Sequence, residues 1–248
     1  MQIHVLWCHP RSVSTAFERV MRERGDLTVL HEPFMYYHYL TKTDRPFPDF
    51  TPDPDHPTTY QGIREMIRGA AQTGPVFFKD MAYHVADKLP KDAGFALQLT
   101  HAFLVRDPVE AAVSYAKRDP AFTRTELGHE AQHRLYYALL GLGCTPMVIT
   151  ADQLRNDPVT TMRRYWAHTQ LSFESHAFDW DGRVPQGWAA VKDWHSDVLQ
   201  SGAIQKPRDA DAAAQLAALG APYADHAAYH APFYAELREI AHTQAHQK

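Results

Sequence analysis

The residues best suited to chemistry lie in a short segment near the start of the sequence, HPRSVSTAFERV, which spans residues 9–20. Arg11 supplies a forked guanidinium that suits phosphate or sulfate oxygens. Ser12, Ser14 and Thr15 add hydroxyl groups. Because the segment joins a short apolar run to a helical pattern, these groups would surround the unpaired N–H groups of a helix N-terminus. The segment therefore predicts a binding site for a small anion.

Two common nucleotide-binding motifs are absent from the sequence. No stretch matches GxxxxGK[ST], and none matches the dinucleotide pattern GxGxxG, so ordinary ATP or NAD binding is disfavoured. A structural explanation stays open, in which Ser12 or Ser14 merely caps the following helix. Val13 is β-branched, and we therefore expect the loop to avoid a positive φ angle at this residue.

A second polar segment is FLVRDPVEAAVSY, in which Arg106 ends a predicted strand and Ser114 lies eight residues later in a predicted helix. A guanidinium at the end of the strand and a hydroxyl two helical turns beyond it can share one phosphate group. The alternative is that Arg106 forms a local ion pair with Asp107 at the start of the helix.

Together the two segments resemble the sulfotransferases that use 3′-phosphoadenosine 5′-phosphosulfate (PAPS). That family carries a P-[KR]-[ST]-x-[ST]-T-like loop after its first strand, and a later strand that ends in Arg-Asp-Pro. ITADQLRNDPVTTMRRYW resembles a later strand and helix start of the same family. The resemblance covers about residues 3–170. It implies a P-loop-like fold, PAPS as the sulfuryl donor and adenosine 3′,5′-bisphosphate (PAP) as the product.

The resemblance assigns cofactor-binding roles to both segments. Arg106 and Ser114 occupy the positions that bind the 3′-phosphate of PAPS. The loop residues expected to hold the 5′-phosphosulfate are Arg11, Ser12, Val13, Ser14 and Thr15.

Sulfuryl transfer requires an oriented acceptor, neutralised oxygen charge and removal of the acceptor proton. Arg11 is the first choice for stabilising the leaving phosphate, and the protein's cations make a metal ion unnecessary. Glu32, in HEPFMYYHY, matches a glutamate that is the general base in several branches of the family. An apolar pocket would raise its pKa, which suits a base. The alternative is that Glu32 pairs with a cation and only orders the site.

Lys79, in FFKDMAYHV, matches the family's lysine near the sulfuryl group or the acceptor. One branch of the family has a catalytic histidine two residues later, where this chain has Met81. His84 is the nearest substitute and the second choice for a base or for a group that orients the acceptor. A lone histidine is more often structural, and that alternative stays open.

The aromatic residues that follow Glu32 predict the acceptor site. Phe34, Tyr36 and Tyr37 offer apolar walls with hydroxyl groups, and core packing is the alternative. The net charge of −4 argues against nucleic acid or a membrane surface as partner, and it does not favour a protein or polysaccharide acceptor, which would prefer an open basic groove. We therefore expect a small-molecule hydroxyl or amine as acceptor, and a homodimer stays open.

The elements that must position these residues are short apolar runs that alternate with helical patterns. The runs at residues 3–7, 27–30, 76–78, 102–105 and 147–150 read as strands. This order predicts a three-layer α/β fold with a mostly parallel central sheet of about five strands flanked by helices. In such sheets, ligands bind at the carboxyl ends of the strands. A long helix is predicted over residues 125–142.

The 248 residues predict a single domain, with a Pro/Asp-rich loop or lid at 42–58 and a helical C-terminal region. Two cysteines and an N-terminus without a basic leader predict a cytoplasmic location. No metal-binding spacing occurs among the histidines. Two other functions stay open: a P-loop kinase or other phosphotransferase, and a non-catalytic nucleotide-binding relative.

Overall fold

The computed structural model of the protein describes residues 2–181, 183–185, 188, 194, 201–206 and 211–246. Its centre is a sheet of five parallel strands in the order β2-β3-β1-β4-β5. The strands are β1 (Ile3–Cys8), β2 (Thr28–His31), β3 (Val76–Met81), β4 (Leu99–Val105) and β5 (Met147–Thr150). The predicted α/β fold is confirmed, and the sheet is wholly parallel.

Helices flank the sheet on both sides and connect consecutive strands. The α-helices are α1 (Ser14–Glu23), α2 (Met35–Tyr37), α3 (Tyr60–Ala70), α4 (Ala82–Val85), α5 (Ala93–Ala96), α6 (Pro108–Ala116), α7 (Arg124–Leu127), α8 (His129–Gly141), α9 (Ala151–Asn156), α10 (Pro158–His168), α11 (Ala212–Leu219) and α12 (Tyr223–His246). A π-helix spans His38–Lys42, and 3₁₀ turns span Leu89–Lys91 and Ser175–Phe178.

The core lies on both faces of the central strands. Every residue of β1 and β3 is buried, as expected for parallel strands covered by helices on two sides. Phe17 of α1 packs edge-on against Tyr165 of α10, with ring centroids 4.8 Å apart. It also stacks on Phe77 of β3, at 6.1 Å. The first helix is thereby fixed against the sheet, and its N-terminus is fixed with it.

β3 is longer than predicted and contains charged residues. Lys79 pairs in register with Leu6 of β1 and His31 of β2, and Asp80 pairs with Trp7. Both charged side chains are buried. The prediction ended this strand at residue 78. Charged residues are rarely buried unless they are paired, and here nearby charges compensate them.

The long helix predicted over 125–142 is two helices, α7 and α8, separated by Gly128. Gly128 has φ of +84°, and a Cβ atom at this residue would lie 2.8 Å from the Cβ of His9. A side chain is therefore excluded on two grounds, backbone conformation and space. The break brings α8 against the loop that follows β1.

The Pro/Asp-rich segment forms neither helix nor strand over residues 43–58, as its prolines predict. The Arg45 side chain holds it to the body of the protein through ion pairs with Asp119 and Glu126. The helical C-terminal region is present as α11 and α12, and α12 packs on α6, α8 and β5. None of the helices in the described ranges has the length and apolar character needed to cross a membrane.

Candidate active site

The loop after β1 adopts the backbone that the sequence argument excluded. Val13 has φ of 73° and ψ of 11°, in the left-handed region, so the expectation of a negative φ there is wrong. Arg11 also has a positive φ, of 62°, whereas Ser12 between them does not. Alternation of this kind turns successive N–H groups toward one point and forms an anion-binding concavity. The strained backbone at Val13 is held by the surrounding fold, and strain of this type clusters at functional sites.

The N-cap position of α1 is occupied by Val13, whose side chain cannot accept a capping hydrogen bond, so neither Ser12 nor Ser14 is the N-cap residue. The Ser12 hydroxyl is buried and has no hydrogen-bond partner among the residues that the structure describes. A buried hydroxyl without a partner is costly unless a ligand or water satisfies it. The capping explanation therefore fails, and the anion-binding interpretation gains support.

The two predicted donor-binding segments lie directly against each other. The Nε atom of Arg11 donates a hydrogen bond to Oγ of Ser114, at 2.9 Å. The Nη1 atom of Arg106 donates to the carbonyl oxygen of Arg11, also at 2.9 Å. Asp107 does not form the local ion pair considered above; it caps α6 by accepting from Val109 N at 2.8 Å. The ion pair of Arg106 is instead with Glu110.

Two buried histidines that the sequence argument missed hold the backbone of Arg106. Arg106 N–H donates to Nε2 of His9, at 3.0 Å, and Nδ1 of His9 lies 3.0 Å from the Pro10 carbonyl oxygen. The Arg106 carbonyl lies 2.7 Å from Nε2 of His129. The two rings pack with centroids 4.0 Å apart. One neutral tautomer of each ring satisfies these contacts.

Burial keeps both rings uncharged. It lowers the pKa of His9 well below its ordinary value, with His129 adding to the effect. It lowers the pKa of His129 to about 3. No local pattern marks these histidines among the sixteen of the sequence, because their contacts join residues far apart in the chain. His9 lies directly before the anion-binding loop, and that position is the one signal that could have found it.

Lys79 and Glu32 form a buried ion pair at the other end of the cavity. The Nζ atom of Lys79 hydrogen-bonds Oε1 of Glu32. Burial by itself would raise the pKa of Glu32, but the charges of Lys79 and His31 outweigh it, so this pKa lies below its ordinary value. Burial would likewise lower the pKa of Lys79, yet Glu32 and Glu18 raise it. The expected raised pKa of Glu32 is therefore wrong for this arrangement.

A second buried carboxylate, Glu18 of α1, stands behind this pair. Its Oε2 atom lies 2.6 Å from Nδ1 of His31 and 3.9 Å from Nζ of Lys79. Arg22 and the buried Trp188 donate to its Oε1 atom, at 2.8 and 2.7 Å. The His31 ring also reaches Glu32, with Nε2 at 3.6 Å from Oε1. Lys79 is thus held between two carboxylates whose positions are set by other side chains.

His84, the second choice for a base, is buried behind the site and does not line the cavity. Its Nδ1 lies 2.6 Å from Oδ1 of Asp80, and burial lowers its pKa to about 3. The Asp80 carboxylate also accepts from the backbone N–H groups of Phe34 and Met81, at 2.6 and 2.9 Å. These contacts favour a structural role in which His84 and Asp80 hold β3 against the turn after β2.

The three residues predicted to bind the acceptor do not line the cavity. Phe34 is fully buried and stacks on Tyr60, with ring centroids 5.3 Å apart. Tyr36 stacks on His56 at 3.7 Å, and Tyr37 packs edge-on against Tyr60 at 6.1 Å. These contacts favour the core-packing alternative for Phe34 and Tyr36, which are buried, whereas Tyr37 is partly exposed.

Four aromatic residues and one methionine form an uncharged wall of the cavity. The wall residues are Tyr39, Phe47, Met81, Tyr83 and Trp194. Phe47 comes from the Pro/Asp-rich segment and stacks on Trp194, with centroids 4.7 Å apart, while the Trp194 indole donates to Pro48 O at 2.9 Å. The segment predicted as a loop or lid therefore supplies one aromatic ring of the wall.

One cavity is lined by this wall, by the loop after β1 and by the Lys79–Glu32 pair. From the anion-binding loop it is lined by Pro10, Arg11, Val13, Ser14, Thr15 and Ala16, and elsewhere by Glu32, Lys79, Arg106, Arg155, Ser201, Ala203 and Gln205. Ser201, Ala203 and Gln205 belong to the stretch VLQSGAIQKP, of which residues 198–200 and 207 lie outside the described residues. In the described part of the chain, no three His, Cys, Asp or Glu side chains gather as they would around a metal ion.

Comparison with known families yields one match over nearly the whole chain. The family described as a sulfotransferase domain matches residues 1–236. Curated relatives are two Arabidopsis thaliana proteins named branched-chain-amino-acid aminotransferase-like protein 2 and 1. They are 26% identical over 211 residues and 27% identical over 206 residues, covering 84% and 82% of this chain. The matches cover 37% and 36% of those proteins, so the chain spans about a third of the length of the curated relatives it matches.

Solved structures with the same fold include sulfotransferase domains. A domain from the curacin biosynthetic pathway has a TM-score of 0.53 at 11% identity, covering 99% of this chain and 98% of its own. A domain from the Synechococcus olefin synthase has a TM-score of 0.53 at 15% identity, covering 100% and 95%. The sulfotransferase from Alicyclobacillus acidocaldarius has a TM-score of 0.51 at 14% identity, covering 98% and 96%. At these identities the likeness shows the fold alone.

Proposed function

The chain belongs to the sulfotransferase domain family, and from this premise we propose that it transfers a sulfuryl group from PAPS to a hydroxyl or amine of a small-molecule acceptor. The observation that carries the proposal is the contact between two segments about 95 residues apart. Two hydrogen bonds of 2.9 Å join Arg11 to Ser114 and to Arg106 at one end of the cavity. One nucleotide carrying two anionic groups can therefore reach both segments.

The residues at this end of the cavity fit such a donor. The left-handed backbone at Arg11 and Val13 forms a concavity for an anion, and these two residues line the cavity. Ser12 and Ser114 are not among the lining residues, and the buried Ser12 hydroxyl has no partner among the described residues. Ser12–Thr15 and Arg11 would hold the 5′-phosphosulfate, and Arg106 with Ser114 would hold the 3′-phosphate. When bound, PAPS supplies the sulfuryl group. We assign no role to a metal ion, because the guanidinium and ammonium groups suffice to neutralise oxygen charge.

The Lys79–Glu32 pair is suited to removing the proton of the acceptor. Glu32 is ionised at neutral pH because its pKa is low, and it lines the cavity beside the aromatic wall. As the acceptor oxygen bonds to sulfur and the bond from sulfur to the leaving phosphate breaks, the hydroxyl proton passes to the Glu32 carboxylate. Lys79 neutralises the sulfuryl oxygens, and Arg11 the leaving phosphate. When Lys79 turns from Glu32 toward an incoming anion, the basicity of Glu32 rises.

The cavity wall supports a small acceptor. Tyr39, Phe47, Met81, Tyr83 and Trp194 carry no formal charge, and the Pro/Asp-rich segment contributes Phe47 to this wall. A polysaccharide or a protein segment would need an open charged groove. A single domain over residues 1–248, a cytoplasmic location and a homodimer remain predictions.

The first test compares donor nucleotides. Calorimetry should detect binding of PAP but not of ATP with Mg²⁺, and labelled sulfate should pass from PAPS to a member of a small-alcohol, phenol and amine panel. Arg106→Ala should weaken PAP binding about 10- to 100-fold, as for loss of a charged hydrogen bond, and spare adenosine 5′-phosphosulfate. Arg134→Ala, an exposed change on α8, is the matched control. Equal loss for both nucleotides would contradict the 3′-phosphate assignment.

A second test addresses the base. Glu32→Gln keeps the size and one hydrogen-bond acceptor but removes the proton acceptor. Turnover should fall about 100- to 10,000-fold, the usual contribution of general base catalysis, while PAP affinity stays within about threefold. The measurement is kcat with saturating PAPS, beside calorimetry with PAP. A variant with full turnover would remove Glu32 as the base.

A further inference from the structure

The part of the cavity lined by Arg11 and Arg106, which we call the donor end, contains a third arginine, Arg155. This residue lies outside the two segments proposed to bind the donor. Arg155 lies on α9, directly after β5, and lines the cavity. Its Nη1 atom is 3.7 Å from Oε2 of Glu110. The same oxygen accepts from Nε and Nη2 of Arg106, at 2.9 and 2.7 Å. A single carboxylate oxygen therefore lies between two guanidinium groups that come from different strand ends.

Three guanidiniums line this part of the cavity, those of Arg11, Arg106 and Arg155. A cleft lined by charges of one sign concentrates ligands of the other sign. A phosphomonoester, which carries about −1.5 to −2 at neutral pH, is a ligand of this kind.

The Glu110 carboxylate is placed so that a ligand can displace it from the two guanidiniums. Its side chain is 35% exposed, and it lies in the first turn of α6. The neighbouring Asp107 is different, because its carboxylate accepts the capping hydrogen bonds of the same helix. Glu110 can therefore turn into solvent without breaking the helix start. A phosphate with three acceptor oxygens and a higher charge competes well against one carboxylate for two guanidiniums.

We propose that Arg155 binds the phosphomonoester of the donor nucleotide together with Arg106, and that Glu110 occupies both guanidiniums until this phosphate displaces it. The inference rests on the proposed function, since the phosphomonoester is the 3′-phosphate of the donor. Arg155 and Glu110 would then make the site selective for nucleotides that carry this group. A nucleotide without it would leave Glu110 in place and gain nothing from Arg155.

The test is calorimetry of wild type, Arg155→Met and Glu110→Gln with PAP and with adenosine 5′-phosphosulfate, which lacks the 3′-phosphate. Arg155→Met should raise the Kd for PAP about 10- to 100-fold and change that for adenosine 5′-phosphosulfate less than about threefold. Glu110→Gln should lower the Kd for PAP several-fold, because the internal competitor is lost. The exposed Arg134→Met on α8 controls for loss of a surface charge.

The outcomes separate this inference from the proposed function. If wild type binds PAP and Arg155→Met binds it equally well, or loses both nucleotides equally, the inference is overturned and the proposed function stands. If Glu110→Gln weakens PAP binding, the carboxylate helps the phosphate and the displacement model is overturned. If wild type does not bind PAP, the proposed function itself fails. Should Arg155→Met not fold, Arg155→Lys gives the same comparison, because it keeps one charge and removes the fork.

Discussion

Two parts of the cavity use charge in opposite ways. The donor end is lined by the guanidiniums of Arg11, Arg106 and Arg155, and the side chains of Arg106 and Arg155 are 14% and 18% exposed. Elsewhere along the cavity, Lys79 is 1% exposed and stands between Glu32 and Glu18. A group of like charges near solvent suits the binding of an incoming anion. Compensated charge suits groups that must keep a fixed position and protonation state before any ligand arrives.

Desolvation explains the difference. A charge buried without a partner costs several kcal/mol or more, so the fully buried Lys79 requires partners in the protein itself. The arginines of the donor end keep part of their surface in contact with solvent, so this desolvation cost is smaller for them. Both parts of the cavity contain a residue with a positive φ angle shortly after a strand. These residues are Arg11 and Val13 after β1, and Glu32, with φ of 41°, after β2. This conformation turns the backbone of both loops sharply at the sheet edge.

The largest effect on the unfolding free energy is expected for Lys79→Met. Removal of the ammonium leaves Glu32 and Glu18 without their shared cation, and we expect a loss of about 3–5 kcal/mol of unfolding free energy, as for other broken buried pairs. Urea unfolding at pH 7 measures this loss. The double change Lys79→Met with Glu32→Gln should regain part of the stability but no turnover.

The donor end supplies the matched control for that experiment. Arg106→Ala removes a cation from a partly exposed ion pair, which contributes about 0–1 kcal/mol. Similar losses for Lys79→Met and Arg106→Ala would show that the two ends do not differ as we describe.

The stability of the protein should depend on pH through His9 and His129, which contact the backbone of Arg106 at the donor end. The pKa of His129 is about 3 in the folded protein and about 6.5 when unfolded, so the unfolded state binds more protons below pH 6.5. Stability is therefore full above this pH and falls as the pH drops toward 3. Between pH 7.5 and 5.5, His129 alone should account for a loss of about 1.4 kcal/mol. His129→Gln should reduce the pH dependence by this amount, and an unchanged dependence would contradict the neutral ring.

The smallest expected effect concerns the strained loop. Val13→Gly relieves a left-handed β-branched residue, which gains about 1–2 kcal/mol, and loses about 0.5–1 kcal/mol to backbone entropy. We expect unfolding free energy within about 1 kcal/mol of wild type and PAP binding within a few-fold. Loss of PAP binding would show that the valine side chain, rather than the backbone conformation, shapes the donor end.

Local patterns in the sequence were sufficient to predict the five strands and to place the loop after β1 and Arg106 at their carboxyl ends. Strand periodicity and short motifs depend on near neighbours in the chain, and the carboxyl ends of parallel strands meet at one edge whatever lies between them. For this reason Arg11, Glu32, Lys79 and Arg106 are correctly predicted to lie at one edge of the sheet. The family resemblance depends on the same short segments.

The tertiary structure alone decided which charges meet and which rings face the cavity. His9, His129 and Arg106 come together only because Gly128 breaks a helix that composition predicts as continuous. The low pKa of Glu32 follows from Lys79, 47 residues away, and Glu110 reaches Arg155 only across the gap between two strand ends. The cavity is lined by Tyr39 and Tyr83 and not by Phe34, Tyr36 or Tyr37. Contacts between distant segments set each of these properties, because electrostatic energy and packing depend on distance in space rather than along the chain.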